Sequence, residues 1–190
     1  MAIYHLEAKI VSRGAGRSAV AAAAYLSCSR MLNEYDGVQH DYTRKQGLGW
    51  RQVFLPATAP AEWQDRETLW NAVEETETAK DSRLAREFVA ALPIELSREE
   101  QIQLLQDFIK EQFVADGMCA DAAIHDPYPP GHNPHAHILL TVRPLDEREN
   151  GSTRPRKNIS VSKMARNGAL LPPSSNRRRP TAGRNSISTR

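Results

Sequence analysis

Met118-Cys-Ala-Asp-Ala-Ala-Ile-His125 and His135-Ala-His-Ile-Leu-Leu-Thr-Val-Arg143 are the two runs on which the fold turns. Between them lies Asp126-Pro-Tyr-Pro-Pro-Gly-His-Asn-Pro134, a stretch dense in turn residues. This pattern predicts strands over 118–125 and 135–143, joined as an antiparallel hairpin through a long loop at 126–134. Side chains alternate faces along a strand, so His135 and His137 project together, while Ala136, Ile138, Leu140 and Val142 line the opposite, apolar face. His125 ends the neighbouring strand, and the hairpin returns the chain so that all three imidazoles can meet. Neutral imidazole is the commonest protein metal ligand, and a three-His set leaves positions open for a substrate oxygen. A lone His-x-His reads more simply as two surface histidines. Here three of the six histidines converge on one face of a packed strand, which favours metal binding.

Outward from the hairpin, residues 2–11 read as a strand, and Ser12-Arg-Gly-Ala-Gly16 reads as a turn. Ser18 is placed to cap an alanine-rich helix running from Ala19 to about Arg30. Residues 31–49 read as a loop with short extended pieces, and 50–55 as a strand stopped by Pro56. An acidic helix over 61–78 carries Trp63, Leu69, Trp70 and Val73 at helical spacing. A strand over 83–92 ends at Pro93. Ser97-Arg-Glu-Glu100 is a capping box opening a helix through Phe113, with Ile102, Leu105, Phe108 and Ile109 as its apolar stripe. The order β-α-β-α-β-α-β-β predicts an α+β fold with a mainly antiparallel central sheet and helices on one side of it. His5 reads as a packed residue of the first strand rather than a fourth ligand. His40 and His132 fall in loops and are given no role. Tyr25, at the end of the alanine helix, reads on its own as a large core residue.

Charge divides the chain. Residues 151–190 hold ten of the 25 basic residues and none of the 23 acidic ones, leaving 15 against 23 in residues 1–150. All twelve aromatics also precede residue 151. The expectation is one folded domain over 1–147 and a basic tail over 148–190, too poor in apolar groups to offset its ordering entropy. No apolar run nears the ~18 residues of a membrane span, and the N-terminus has no signal-peptide core, so a cytoplasmic protein without membrane insertion is expected. Cys28 and Cys119 make neither a disulfide framework nor a thiol-rich metal site.

Together these segments resemble the MobA/MobL family of conjugative relaxases, HUH-type enzymes that nick one DNA strand to start plasmid mobilisation. The matching pieces are Met1-Ala-Ile-Tyr-His-Leu6, Ser18-Ala19 through Ala24-Tyr25, Ala85-Arg-Glu-Phe-Val-Ala-Ala-Leu-Pro93, and Ile124-His125 followed by Asn133-Pro-His-Ala-His137. They span residues 1 to about 145. The resemblance implies Tyr25 as the nucleophile that becomes joined to the 5′ end of the cut strand, and His125, His135 and His137 as metal ligands. It implies Glu87 as an acidic partner that polarises the tyrosine or a ligand histidine, where an ordinary strand-edge charge paired with Arg83 or Arg86 is the plainer reading. It implies Mg or Mn, although imidazole donors by themselves suit Mn, Co, Ni or Zn better than Mg. Its partners would be single-stranded DNA at an origin of transfer, with accessory mobilisation proteins and a coupling protein. Lys9, Arg13, Arg17 and Arg86 are expected near the site as phosphate contacts, and Tyr4, Tyr42 or Trp50 as stacking platforms. The resemblance stops after Leu145-Asp146. The tail then reads either as a DNA-attracting arm or as the out-of-frame continuation of a longer relaxase, which the nucleotide sequence decides. Two other readings of the whole chain are a catalytically inactive DNA-binding remnant and an unrelated three-His metal-binding domain.

Overall fold

The computed structural model describes residues 5–127 and 133–143. Tyr4, His132 and the basic tail lie outside them. Seven strands and three α-helices follow in the order β1 (Leu6–Ser12), α1 (Ala19–Leu26), β2 (Arg30–Asn33), β3 (Val38–Asp41), β4 (Leu48–Phe54), α2 (Arg66–Thr76), β5 (Arg83–Ala91), α3 (Arg98–Ile109), β6 (Ala120–His125) and β7 (His135–Thr141). Five strands form one sheet in the order β1-β5-β7-β6-β4, every neighbouring pair antiparallel. The expected α+β architecture is present, and the last two strands pair as the hairpin that the sequence predicts.

Helices cover both faces of this sheet, not one. On one face Ala85, Ala123 and Leu139 pack with Val20, Ala23 and Ala24 of α1 and Leu69 and Trp70 of α2. On the other, Phe88, Ala122, Ala136, Ile138 and Leu140 pack with Leu105 and Ile109 of α3. The physical reason lies in β7 itself. Ile138, Leu139 and Leu140 are consecutive and each is about 1% exposed, so apolar side chains leave both faces and both require cover.

Three elements depart from the sequence expectation. The alanine helix stops at Leu26 instead of near Arg30. Cys28 adopts φ 51°, the Ser29 N–H donates to the Ala24 carbonyl at 3.0 Å, and the Cys28 N–H donates to the Tyr25 carbonyl at 3.4 Å. This is a Schellman ending built on cysteine where glycine is usual, so no glycine marks it in the sequence. The segment expected as a loop over 31–49 contains the β2–β3 hairpin, a separate two-stranded sheet. The acidic helix begins at Arg66, capped by Asp65, whose carboxylate accepts the Thr68 N–H at 2.9 Å; residues 61–64 form a short 3-10 turn before it. The capping box at Ser97 and Glu100 opens α3 as read.

Asp121 of β6 is fully buried between the sheet and α2, where it accepts from Arg66 Nε at 2.6 Å and Trp70 Nε1 at 3.1 Å. A buried charge of this kind is held by its partner, and removing one half strands the other. The exposed pair Lys9–Glu7, at 2.8 Å, is by contrast worth little to stability. Asp121→Ala is therefore expected to cost about 3–5 kcal/mol in urea unfolding, whereas Glu7→Ala is expected to fall within about 0.5 kcal/mol of the parent. A loss below about 1 kcal/mol for Asp121→Ala would contradict this account of how α2 is anchored.

Candidate active site

The register of β6 with β7 places His125 opposite His135 and Ala123 opposite His137. Directly opposed residues in an antiparallel pair share a face, so all three histidines lie on the α1 side of the sheet. Ring centroids stand 4.8 Å apart for His125–His137, 5.1 Å for His135–His137 and 5.8 Å for His125–His135. One nitrogen from each ring falls within 4.8 Å of the others, the one such metal-sized group among the described residues.

Each ring is oriented by an acceptor. His125 Nε2 lies 2.7 Å from the Leu26 carbonyl, His137 Nδ1 lies 3.2 Å from Glu87 Oε1, and His135 Nδ1 lies 3.4 Å from the Asn133 carbonyl. A carbonyl or carboxylate only accepts, so each of these nitrogens carries the proton, and the network assigns the tautomers. The lone pairs are thus left on His125 Nδ1, His135 Nε2 and His137 Nε2. Burial drives the same way: it pushes His125 down to about 4 and also lowers His135, keeping both neutral near pH 7. The His137 ring N–H holds the Glu87 carboxyl below the usual carboxylate range, with Lys9 and Arg17 adding to the effect. Three clustered imidazoles, each oriented through one nitrogen, are a donor set that fits a divalent ion and leaves coordination positions for oxygen.

Tyr25 is the exposed residue of α1, at 43%, on a helix otherwise buried or half-buried. It does not complete the core. Its ring meets Tyr42 edge-on at 5.3 Å, and Lys45 Nζ sits 3.6 Å from its centroid. Lys45 Nζ also donates to the Tyr25 carbonyl at 3.3 Å and to His125 Nδ1 at 3.0 Å, so one ammonium touches both the tyrosine and the histidine group. Burial lowers its affinity for its proton. Sequence reading missed Lys45, which stands in a loop with no periodicity and no motif around it.

Of the four cations expected near the site, two are there. Arg17 NH2 approaches Glu87 at 3.6 Å, and Lys9 is the register partner of Glu87 across β1 and β5. Arg13 is engaged elsewhere: its guanidinium donates to Glu74 and to the Glu77 and Ala79 carbonyls at the end of α2, and stacks on Tyr35. Arg86 pairs in register with Leu140, which faces α3, so it lies on the opposite side of the sheet from the histidines. Trp50 likewise packs toward Phe54 on the α3 side, leaving Tyr42 as the expected stacking residue beside Tyr25. His5 is exposed rather than packed and takes no part in the histidine group.

The MobA/MobL family profile matches residues 17–185. A conjugal transfer protein TraA of Rhizobium radiobacter is 46% identical over 165 residues, covering 81% of this chain and 15% of its own length. A probable mobilization protein MobA of Bifidobacterium longum is 42% identical over 159 residues, covering 84% of this chain and 28% of its own. The chain thus spans a small fraction of the length of these relatives. A solved structure described as the molecular basis of vancomycin resistance transfer in Staphylococcus aureus superposes with a TM-score of 0.76 at 34% identity, covering 87% of this chain and 86% of that one. No helix among the described residues is long and apolar enough to cross a membrane.

Since His125 is held near 4 when folded against about 6.5 when unfolded, the unfolded chain binds a proton in that window that the folded chain does not. Stability is expected to fall as pH drops through the window, by up to about 1.4 kcal/mol per pH unit from this group. Urea unfolding of the metal-free protein and of His125→Gln between about pH 7 and 4.5 checks it. The parent should lose stability more steeply, and parallel curves would refute the burial argument.

Proposed function

The chain belongs to the MobA/MobL family, and on that premise we propose that it cuts and rejoins one strand of DNA at an origin of transfer through a phosphotyrosyl intermediate on Tyr25. The observation that carries this reading is an exposed tyrosine beside a cluster of three imidazoles, with Lys45 in contact with both Tyr25 and His125. A tyrosine hydroxyl gains nothing from the solvent-facing end of a buried helix unless something reaches it from outside.

In this reading the Tyr25 oxygen forms a new bond to the scissile phosphorus. The bond from phosphorus to the 3′ oxygen breaks, and the phenol's proton is given up as that oxygen leaves as a hydroxyl. The phosphotyrosyl link keeps the energy of the broken ester, so attack by a 3′ hydroxyl reverses the step and reseals the strand. His125, His135 and His137 would hold a divalent ion, whose charge neutralises that developing on a non-bridging phosphate oxygen. Glu87, as acceptor for His137 Nδ1, favours the tautomer that leaves Nε2 with the lone pair. Arg17, beside Glu87, supplies positive charge at the rim where the phosphate backbone would pass. Tyr42, edge-on to Tyr25, limits where the phenol ring can lie and offers a face on which a base stacks. Single-stranded DNA is the substrate class this arrangement suits, because an extended single strand can lay its phosphate against a recessed site.

The test is a covalent adduct. A fluorescent single-stranded oligonucleotide carrying the cognate nick site, incubated with the protein and Mn, is expected to yield a protein–DNA band resistant to denaturant. Tyr25→Phe should abolish the band. Retention of the adduct in Tyr25→Phe, or DNA binding with no adduct in the parent, would reject the assignment. Glu87→Gln keeps an acceptor for His137 but removes the charge, and is expected to slow adduct formation about 10–100-fold. An unchanged rate would show that Glu87 does not support the ligand set.

A further inference from the structure

We infer that Lys45 is a displaceable cation of the metal site, holding the His125 lone pair while no divalent ion does and giving it up when one binds. The inference rests on the metal-binding reading above and goes beyond it by assigning a residue that sets the affinity. His125 has two ring nitrogens, and both are accounted for. Nε2 is committed as a donor to the Leu26 carbonyl at 2.7 Å, so Nδ1 alone carries a lone pair. Lys45 Nζ stands 3.0 Å from that Nδ1, and an ammonium has only protons to offer, so the contact occupies the same lone pair a metal needs. A divalent ion ligated by an imidazole sits about 2.1 Å from the nitrogen. Two cations cannot share one lone pair at those distances.

The geometry also says what the side chain retains when it is driven off. Its other two partners both belong to Tyr25: the backbone carbonyl at 3.3 Å and the ring face at 3.6 Å. Neither involves a histidine, so loss of the His125 contact leaves Lys45 tied to the nucleophile's residue. Displacement would therefore leave that positive charge with the tyrosine alone.

The experiment titrates the metal-free full chain and two variants with Mn by calorimetry. Lys45→Met, which keeps most of the length and removes the cation, is expected to bind Mn about tenfold more tightly than the parent. Lys45→Arg keeps the charge and should bind no more tightly than the parent. Equal or weaker binding by Lys45→Met, or tightening by Lys45→Arg to the same degree, would overturn the inference. If the parent still binds Mn in that event, the metal site itself stands. If neither the parent nor Lys45→Met binds Mn, both readings fall. A second measurement needs no variant: acylation of lysines by an activated ester, read by mass spectrometry, with and without Mn. Labelling at Lys45 is expected to rise several-fold on metal addition as its nitrogen leaves His125, and unchanged or reduced labelling would count against displacement.

Discussion

The hydrogen bond from His125 Nε2 to the Leu26 carbonyl is the contact around which the rest of the site is arranged. It exists because α1 ends abruptly. The turn at Ser27 and Cys28 satisfies the Ala24 and Tyr25 carbonyls from within the chain and leaves those of Leu26 and Ser27 without helical partners. His125 takes the first and Arg51 the second, at 2.5 Å, while Lys45 adds a further donor to Tyr25. The helix that presents the tyrosine is thus finished by the residues that surround it. A ring fixed in one tautomer, a helix end with its acceptors paired and a tyrosine held at the surface are three descriptions of one junction.

That junction requires α1 to lie close to the sheet, which explains its composition. Ala19, Ala23 and Ala24 are fully buried, and a larger side chain at any of them would force the helix away from what packs against it. The opposite end is held with equal care. Ser18 accepts the Ala21 N–H at 3.1 Å, and the Glu74 carboxylate accepts that of Ala19 at 2.7 Å, itself paired with Arg13 at 2.8 Å. Negative charge at the start of a helix and positive charge at its end both agree with the helix dipole. Arg13, expected as a DNA contact, serves instead to hold Glu74 there.

What could be read from the sequence followed periodicity and local chemistry. The alternation of β7 put His135 and His137 on one face, the hairpin brought His125 to them, and the Ser97–Glu100 capping box placed α3. Tyr25 was another matter: composition made it a core residue, and only the family resemblance set it beside the histidines. The end of α1 was misjudged because Cys28 takes a left-handed conformation that glycine normally announces. Cover on both faces of the sheet was missed although Ile138-Leu139-Leu140 hints at it, since a single apolar residue on the polar face is easily discounted. Lys45 and Arg13 were illegible for a common reason. A long flexible cation in or beside a turn has a destination set by tertiary contacts, and nothing within several residues of either one encodes it.

The strand order has a consequence for biosynthesis. Among the described residues β7 is the last strand in chain order, yet it lies in the middle of the sheet, and it is the sole link between the β1–β5 pair and the β6–β4 pair. Until residues 135–141 have left the ribosome, β5 and β6 each present an open edge and two of the three imidazoles do not yet exist. The nascent chain therefore carries its tyrosine, with Tyr42 and Lys45 soon after it, long before it carries His135 and His137. The five-stranded sheet and the histidine group are completed together, when β7 closes the gap.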